Sequence, residues 1–170
     1  MIIINKENFL RVKKWFNHHK ICFNIMKFSF LVLPFIVAVA YMCLLLERLI
    51  TNDLLSPAFL KVLLVPAGTF VFTTLLRLAI NAPRPYEVND IIPIIKKDTV
   101  GLSFPSRHTS SVFIIAMTYL YVNVVLGFFM MIFAILIGLS RFLFGVHFIK
   151  DVVAGASISI LIGTIFLFIL

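Results

Sequence analysis

Residues 109–140 read TSSVFIIAMTYLYVNVVLGFFMMIFAILIGLS, without one charged side chain. As a single straight helix this run would be about 48 Å long, against a bilayer hydrocarbon core of about 30 Å. It must fold back on itself. Tyr121-Val122-Asn123 is the best turn, which predicts one span at 106–121 and a second at 124–142.

Working outward, 28–46 is free of charge between Lys27 and Glu47, and 57–80 follows. Ser56 and Pro57 suit the N-cap and first turn of that second helix, and Lys61 can snorkel to the membrane surface. Pro66 and Gly68 predict a kink within it. A last apolar run covers 152–170. The reading is an all-α integral membrane bundle of about five transmembrane helices.

Composition agrees. The 170 residues are 62% hydrophobic and 13% charged, where a soluble domain carries about 25% charged residues. So few charges cannot cover a water-exposed surface, and the apolar content is too high for disorder. The net charge of +8 is too thinly spread to mark a nucleic-acid-binding protein. Cys22 and Cys43 share no metal-ligand spacing and read as small apolar residues. Ala38-Val39-Ala40 resembles a signal-peptide cleavage site, but the apolar run continues past it, so the segment reads as a retained anchor.

The leader, 1–27, is different in kind. Phe9, Val12, Phe16, His19 and Phe23 recur at three- and four-residue spacing among Lys6, Arg11, Lys13, Lys14 and Lys20. This is the pattern of a basic amphipathic helix lying in the membrane interface on anionic lipid headgroups. A disordered basic tail is the alternative, and the aromatic content argues against it.

The remaining polar residues collect in three segments: Arg77 to Arg84-Pro85, Phe104-Pro105-Ser106-Arg107-His108, and Ser140-Arg141 to His147 and Asp151. Each lies at the end of a span. Following the alternation of five spans, all fall on one face of the bilayer, leaving Glu47, Arg48, Asp53 and Lys61 to the other. Convergent arginines call for an anion, and the guanidinium fork matches phosphate oxygens. Ser106 opens a helix whose first N–H groups add a further anion site. His147 and Asp151 stand one turn apart if the last helix begins early, so the carboxylate can hold one ring nitrogen and leave the other to attack. His108 supplies a second imidazole to act as acid. Nucleophile, orienting group, acid and anion cradle together point to phosphoryl transfer.

These segments resemble the tripartite signature of the type 2 phosphatidic acid phosphatase family, related to vanadium-dependent haloperoxidases: K-x6-R-P, P-S-G-H and S-R-x5-H-x3-D. The resemblance covers 77–151, just under half the chain. It implies a metal-independent, cofactor-free membrane lipid phosphatase over 28–170, with His147 as nucleophile, Asp151 orienting it and His108 as acid and later base. Arg77, Arg84, Ser106 and Arg141 would hold the phosphoryl oxygens, with the backbone N–H of Arg107 and the Ser140 hydroxyl assisting. Arg77 stands where the family usually has lysine, and Arg107 where glycine is common. The latter fits only if that backbone position does not need positive φ.

Other readings of the same residues are a zinc site on His108, His147 and Asp151, which the arginines would oppose, a non-catalytic lipid-phosphate-binding or scaffold protein, and a transporter. Substrate candidates are undecaprenyl diphosphate, phosphatidylglycerol phosphate, phosphatidic acid and lipid A phosphate. A polyprenyl diphosphate ranks first on family breadth and the extra cation Arg107. The loop 86–103, with Lys96 and Lys97, is the expected specificity lid. Orientation divides: 13 of the 15 Lys+Arg fall on the site face, which the positive-inside rule would make cytoplasmic. The family resemblance implies an outward-facing site in the cell membrane, and that reading is preferred. Oligomeric state is not legible.

Overall fold

The computed structural model describes residues 6–51, 56–89 and 91–170. Asp53, and Asp90 within the expected lid, lie outside the described residues. The described chain is helical: α1 (Lys6–His18), α2 (Lys20–Leu31), α3 (Leu33–Thr51), α4 (Pro57–Ile80), the single turn α5 (Pro85–Val88), α6 (Arg107–Val122), α7 (Val124–Leu143) and α8 (Ile149–Gly163), which continues as a π-helical end, Thr164–Ile169.

The long uncharged run folds back where the sequence places the turn. Asn123 closes α6, its N–H bonding Tyr119 O, and opens α7, its side-chain oxygen accepting from Leu126 N at 3.0 Å. One residue therefore serves as both caps. The two helices then approach so closely that a Cβ on Gly127 would sit 2.5 Å from the Leu120 backbone.

Four described segments are long and apolar enough to cross a membrane: Leu33–Thr51, Pro57–Val88, Val124–Leu143 and Ile149–Ile169. The expected five become these four around a shorter helix. At 16 residues, α6 is about 24 Å long, and α3, α4, α7 and α8 all pack against it. Enclosed by protein rather than lipid, it carries hydroxyls that tie its neighbours together. Ser110 Oγ lies 2.9 Å from Thr73 Oγ1 on α4 and 2.8 Å from Ser159 Oγ on α8. Such hydroxyl pairs hold helices together where lipid offers no hydrophobic drive.

The first span differs from its expected bounds of 28–46. Pro34, in the first turn of α3, has no N–H for the carbonyl four residues back and crowds it, so the helix breaks at Val32. Beyond 46 it runs on to Thr51, with Glu47 Oε2 3.1 Å from Arg48 Nε. The leader also breaks, at His19 (φ −116, ψ 70). The expected division at 27/28 falls inside α2, which packs on α7. Nor is the aromatic stripe of α1 turned wholly to lipid. Phe9 packs with Ile91 and Phe142, and Phe16 with Phe144. Leu10 and Trp15 stay exposed.

Gly127 and Gly68 make a matched test. Gly127→Ala must push Leu120 aside, and overpacking of this kind costs about 1–3 kcal/mol. A Cβ on Gly68 meets nothing within 4 Å, and alanine there gains about 0.5–1 kcal/mol of helix propensity. Thermal unfolding in detergent should show a lowered midpoint for Gly127→Ala only.

Candidate active site

On the face where α4 and α7 end and α6 and α8 begin, a cavity of about 210 Å³ is lined by Arg77, Arg84, Lys97, Arg107, His108, Arg141 and His147, with Thr74, Leu78, Thr99, Leu102 and Val146. All three motif segments reach it. Arg77, Arg84 and Arg141 are buried, and each gives one N–H to a main-chain carbonyl. Arg77 Nη2 donates to Leu102 O, Arg84 Nε to Gly101 O at 2.9 Å, and Arg141 Nη2 to Phe30 O at 3.0 Å. A carbonyl fixes a guanidinium without cancelling its charge, so the site stays strongly cationic.

The carbonyls for Arg77 and Arg84 come from a constrained loop. Gly101 (φ 63) and Leu102 (φ 53) are both left-handed, a conformation costly for a leucine. Glu87 holds the loop in place: its carboxylate accepts from Arg84 N at 2.7 Å and Gly101 N at 3.0 Å. Asn81 Oδ1 accepts from Leu102 N, Ala82 O from Ser103 N, and Thr99 O from the Tyr86 hydroxyl. The described residues of the 86–103 segment, expected from the sequence to be the specificity lid, thus include a pinned stretch of the cavity wall.

His147 and Asp151 form the chemical pair. Helix α8 begins at Ile149, three residues earlier than expected. Asp151 therefore sits in its first turn, where Oδ2 accepts from Phe148 N at 2.9 Å. The same oxygen lies 3.5 Å from His147 Nδ1 and accepts from Ser103 Oγ, itself 3.4 Å from Nδ1. With Nδ1 turned to the carboxylate, Nε2 is the ring nitrogen left for the cavity. Burial pushes the His147 pKa below the usual imidazole range, helped by Arg84 and Arg77 and opposed by Asp151. A neutral ring, as a nucleophile needs to be, is the favoured form. Lys97 is also pushed down, by burial and then by Arg141 and Arg84.

Two expected phosphate ligands do not reach the cavity. Ser140 Oγ donates to Ile137 O at 2.7 Å, one turn back along α7, the usual fate of a buried hydroxyl inside a helix. Ser106 Oγ accepts from Thr109 Oγ1 at 2.9 Å, and Ser106 N donates to Asp151 O at 2.9 Å, fastening α6 to α8. Arg107 is the first helical residue of α6 and is not among the described positive-φ residues. Its side chain fits where glycine was the family pattern, with its guanidinium over the Phe70 ring at 5.4 Å. Sequence reading missed Ser103, Glu87 and the cavity place of Lys97. The spacing of Arg84 and Glu87 was a local signal that could have been read, whereas the contacts of Ser103 with Asp151 and of Glu87 with Gly101 are encoded by no local spacing.

A family model described as the PAP2 superfamily matches residues 58–170. The chain belongs to the PAP2 superfamily. The PAP2 match takes in all three motif segments and begins after α3. Among curated proteins, undecaprenyl-diphosphatase BcrC of Bacillus subtilis (strain 168) is 32% identical over 96 residues, 56% of this chain and 49% of that protein. The chain thus matches about half the length of that relative. The crystal structure of Aquifex aeolicus LpxE superposes with a TM-score of 0.62 at 27% identity, covering 78% of this chain and 79% of that one. The PAP2-type phosphatidylglycerolphosphate phosphatase from Bacillus subtilis superposes at 0.59 over 89% of this chain and 74% of that one. At 23% identity it speaks to the fold alone. This PAP2 chain is a multi-pass, all-helical membrane protein.

The depressed His147 pKa has a measurable consequence. As pH falls through about 6.5, the ordinary histidine range, an unfolded chain binds a proton at residue 147 that the folded chain refuses. Folding stability therefore falls with pH there. Thermal midpoints compared at about pH 7.5 and about pH 5.5 should drop further for the wild type than for His147→Asn; equal drops would show an ordinary histidine.

Proposed function

We propose that this chain is a metal-independent membrane lipid phosphatase that acts through a phosphohistidine, with a polyprenyl diphosphate as its preferred substrate. The observation that carries the reading is the buried His147–Asp151 pair set in a cavity of four arginines and Lys97 at one membrane face. In the first step His147 Nε2 bonds to the terminal phosphorus, the P–O bond to the leaving group breaks, and His108 gives that oxygen its proton. Water then attacks the phosphohistidine, His108 takes its proton, and inorganic phosphate leaves with His147 restored. Arg77, Arg84 and Arg141 offset the charge building on the equatorial oxygens throughout, with the Arg107 N–H at the start of α6 adding a donor.

Three features favour a lipid diphosphate. Leu78 lines the cavity yet is exposed on the lipid side of α4, so a head group can enter sideways while its apolar tail stays in the bilayer. Lys97 and Arg107 add two cations beyond the three buried arginines, enough to meet a second phosphate. The resemblance to an undecaprenyl-diphosphatase points the same way. Phosphatidic acid and phosphatidylglycerol phosphate remain the comparison substrates.

The site faces outward in the cell membrane in this reading, and the basic exposed side of α1 lies on anionic headgroups of the same leaflet. A cysteine introduced in the 86–103 segment, in a background without Cys22 and Cys43, should react with a membrane-impermeant thiol reagent in intact cells. Protection until the cells are opened would reverse the orientation.

Phosphate release from a panel of detergent-solubilised lipid phosphates tests the chemistry. His147→Gln should lower turnover by about four orders of magnitude or more, and vanadate should inhibit the wild type. Unchanged turnover in His147→Gln would sink the mechanism. A chain that binds lipid diphosphate but never releases phosphate would be the non-catalytic alternative.

A further inference from the structure

A proline-broken helix outside the family match aims one of the site's arginines. Pro34 has no N–H for Phe30 O, the carbonyl it would bond in an unbroken helix. Arg141 Nη2 takes that carbonyl at 3.0 Å. Its guanidinium carbon lies 4.0 Å over the Phe30 ring, and that ring packs on Phe144 with centroids 5.4 Å apart. Both sides of the junction are buried. Arg141 Nε, also buried, has no hydrogen-bond partner among the described residues.

The same device occurs a second time. Pro66, within α4, likewise leaves Val62 O without its helical donor, and Tyr41 on α3 gives its hydroxyl to that carbonyl at 2.9 Å. Each internal proline thus frees one carbonyl inside the membrane protein, and a side chain from another helix satisfies it. The Pro66 pair only joins α3 to α4. The Pro34 pair ends on a residue of the cavity.

The main chain carries the effect further. Arg141 O accepts from Val146 N at 3.1 Å and His147 N at 3.2 Å, so fixing Arg141 also fixes the turn that presents the imidazole.

We propose that Pro34 and Phe30 are positioning residues for phosphate. The freed carbonyl and the ring of Phe30 hold the Arg141 guanidinium flat and pointed, leaving its remaining N–H groups to the phosphoryl oxygens. This rests on the proposed function, in which Arg141 is a phosphate ligand. In Pro34→Ala the new N–H competes for Phe30 O and Arg141 loses its anchor.

The test is vanadate binding to the full detergent-solubilised chain by titration calorimetry, with phosphate-release kinetics beside it. Pro34→Ala should weaken vanadate binding by about ten-fold, the loss expected for one charge-assisted hydrogen bond. Phe30→Leu, which keeps the carbonyl and removes the ring, should weaken it by less, and Phe30→Tyr should restore it. Pro66→Ala should bind as the wild type does, even if its thermal midpoint shifts. In an Arg141→Ala background, Pro34→Ala should change binding no further. Additive losses, or a Pro34→Ala chain that binds vanadate as tightly as wild type, would overturn the inference alone. If Pro34→Ala fails to fold, Phe30→Leu decides, and wild-type affinity there overturns it. A wild type that neither binds vanadate nor releases phosphate would overturn the proposed function and this inference with it.

Discussion

Among the described residues, three buried arginines share one end of the bundle with a single buried carboxylate, Asp151. Charge this unbalanced is expensive to remove from water, and most of the molecule's irregular backbone is arranged around it. Each guanidinium rests on a main-chain carbonyl. Inside a regular helix the carbonyls are already engaged by the N–H groups of the turn above. The chain supplies them where helices fail: at the left-handed pair Gly101-Leu102 and at the proline break before α3. What these carbonyls leave uncompensated is net positive charge.

The same demand explains the shape of the core. α6 can be short and rich in hydroxyls because four neighbours shield it from lipid. Its start must also stay where α8 begins, and the bond from Ser106 N to Asp151 O fastens the two helix starts together. A Cβ on Gly155 would stand 2.7 Å from Ser106 O, so no larger residue permits that approach. The serine expected to touch phosphate instead holds in place the residue whose carboxylate lies beside His147.

Much of this was legible in the chain itself. The uncharged run 109–140 forced a hairpin, and the spacing of His147 and Asp151 placed an imidazole beside a carboxylate. Local periodicity speaks only for residues a few positions apart, and that limit accounts for the contacts that sequence reading missed across long separations. Ser103 reaches Asp151 across 48 positions, and Phe30 reaches Arg141 across 111. Pro34 was visible within the first apolar run, but a proline in a first turn is ordinary, and nothing nearby says which side chain will claim the carbonyl it frees. Ser140 misled for the opposite reason: its motif position was right, yet in a dry helix its nearest acceptor, Ile137 O, took its hydroxyl.

The leader shows how one segment answers to two environments. Its stripe of Phe9 and Phe16 would suit a membrane interface by pattern alone, yet both rings are buried on the protein. The seat for Phe9 is Gly145, at φ +75, where an added Cβ would lie 2.7 Å from the ring. Only glycine gives both the left-handed turn and the room for an aromatic ring. That turn lies between Arg141 and His147, so α1 presses on the loop joining a cavity arginine to the imidazole. The remaining exposed face of α1, with Leu10, Lys13, Lys14 and Trp15, is turned away from the protein. A helix that looks like a simple anchor is thereby packed on the turn between Arg141 and His147.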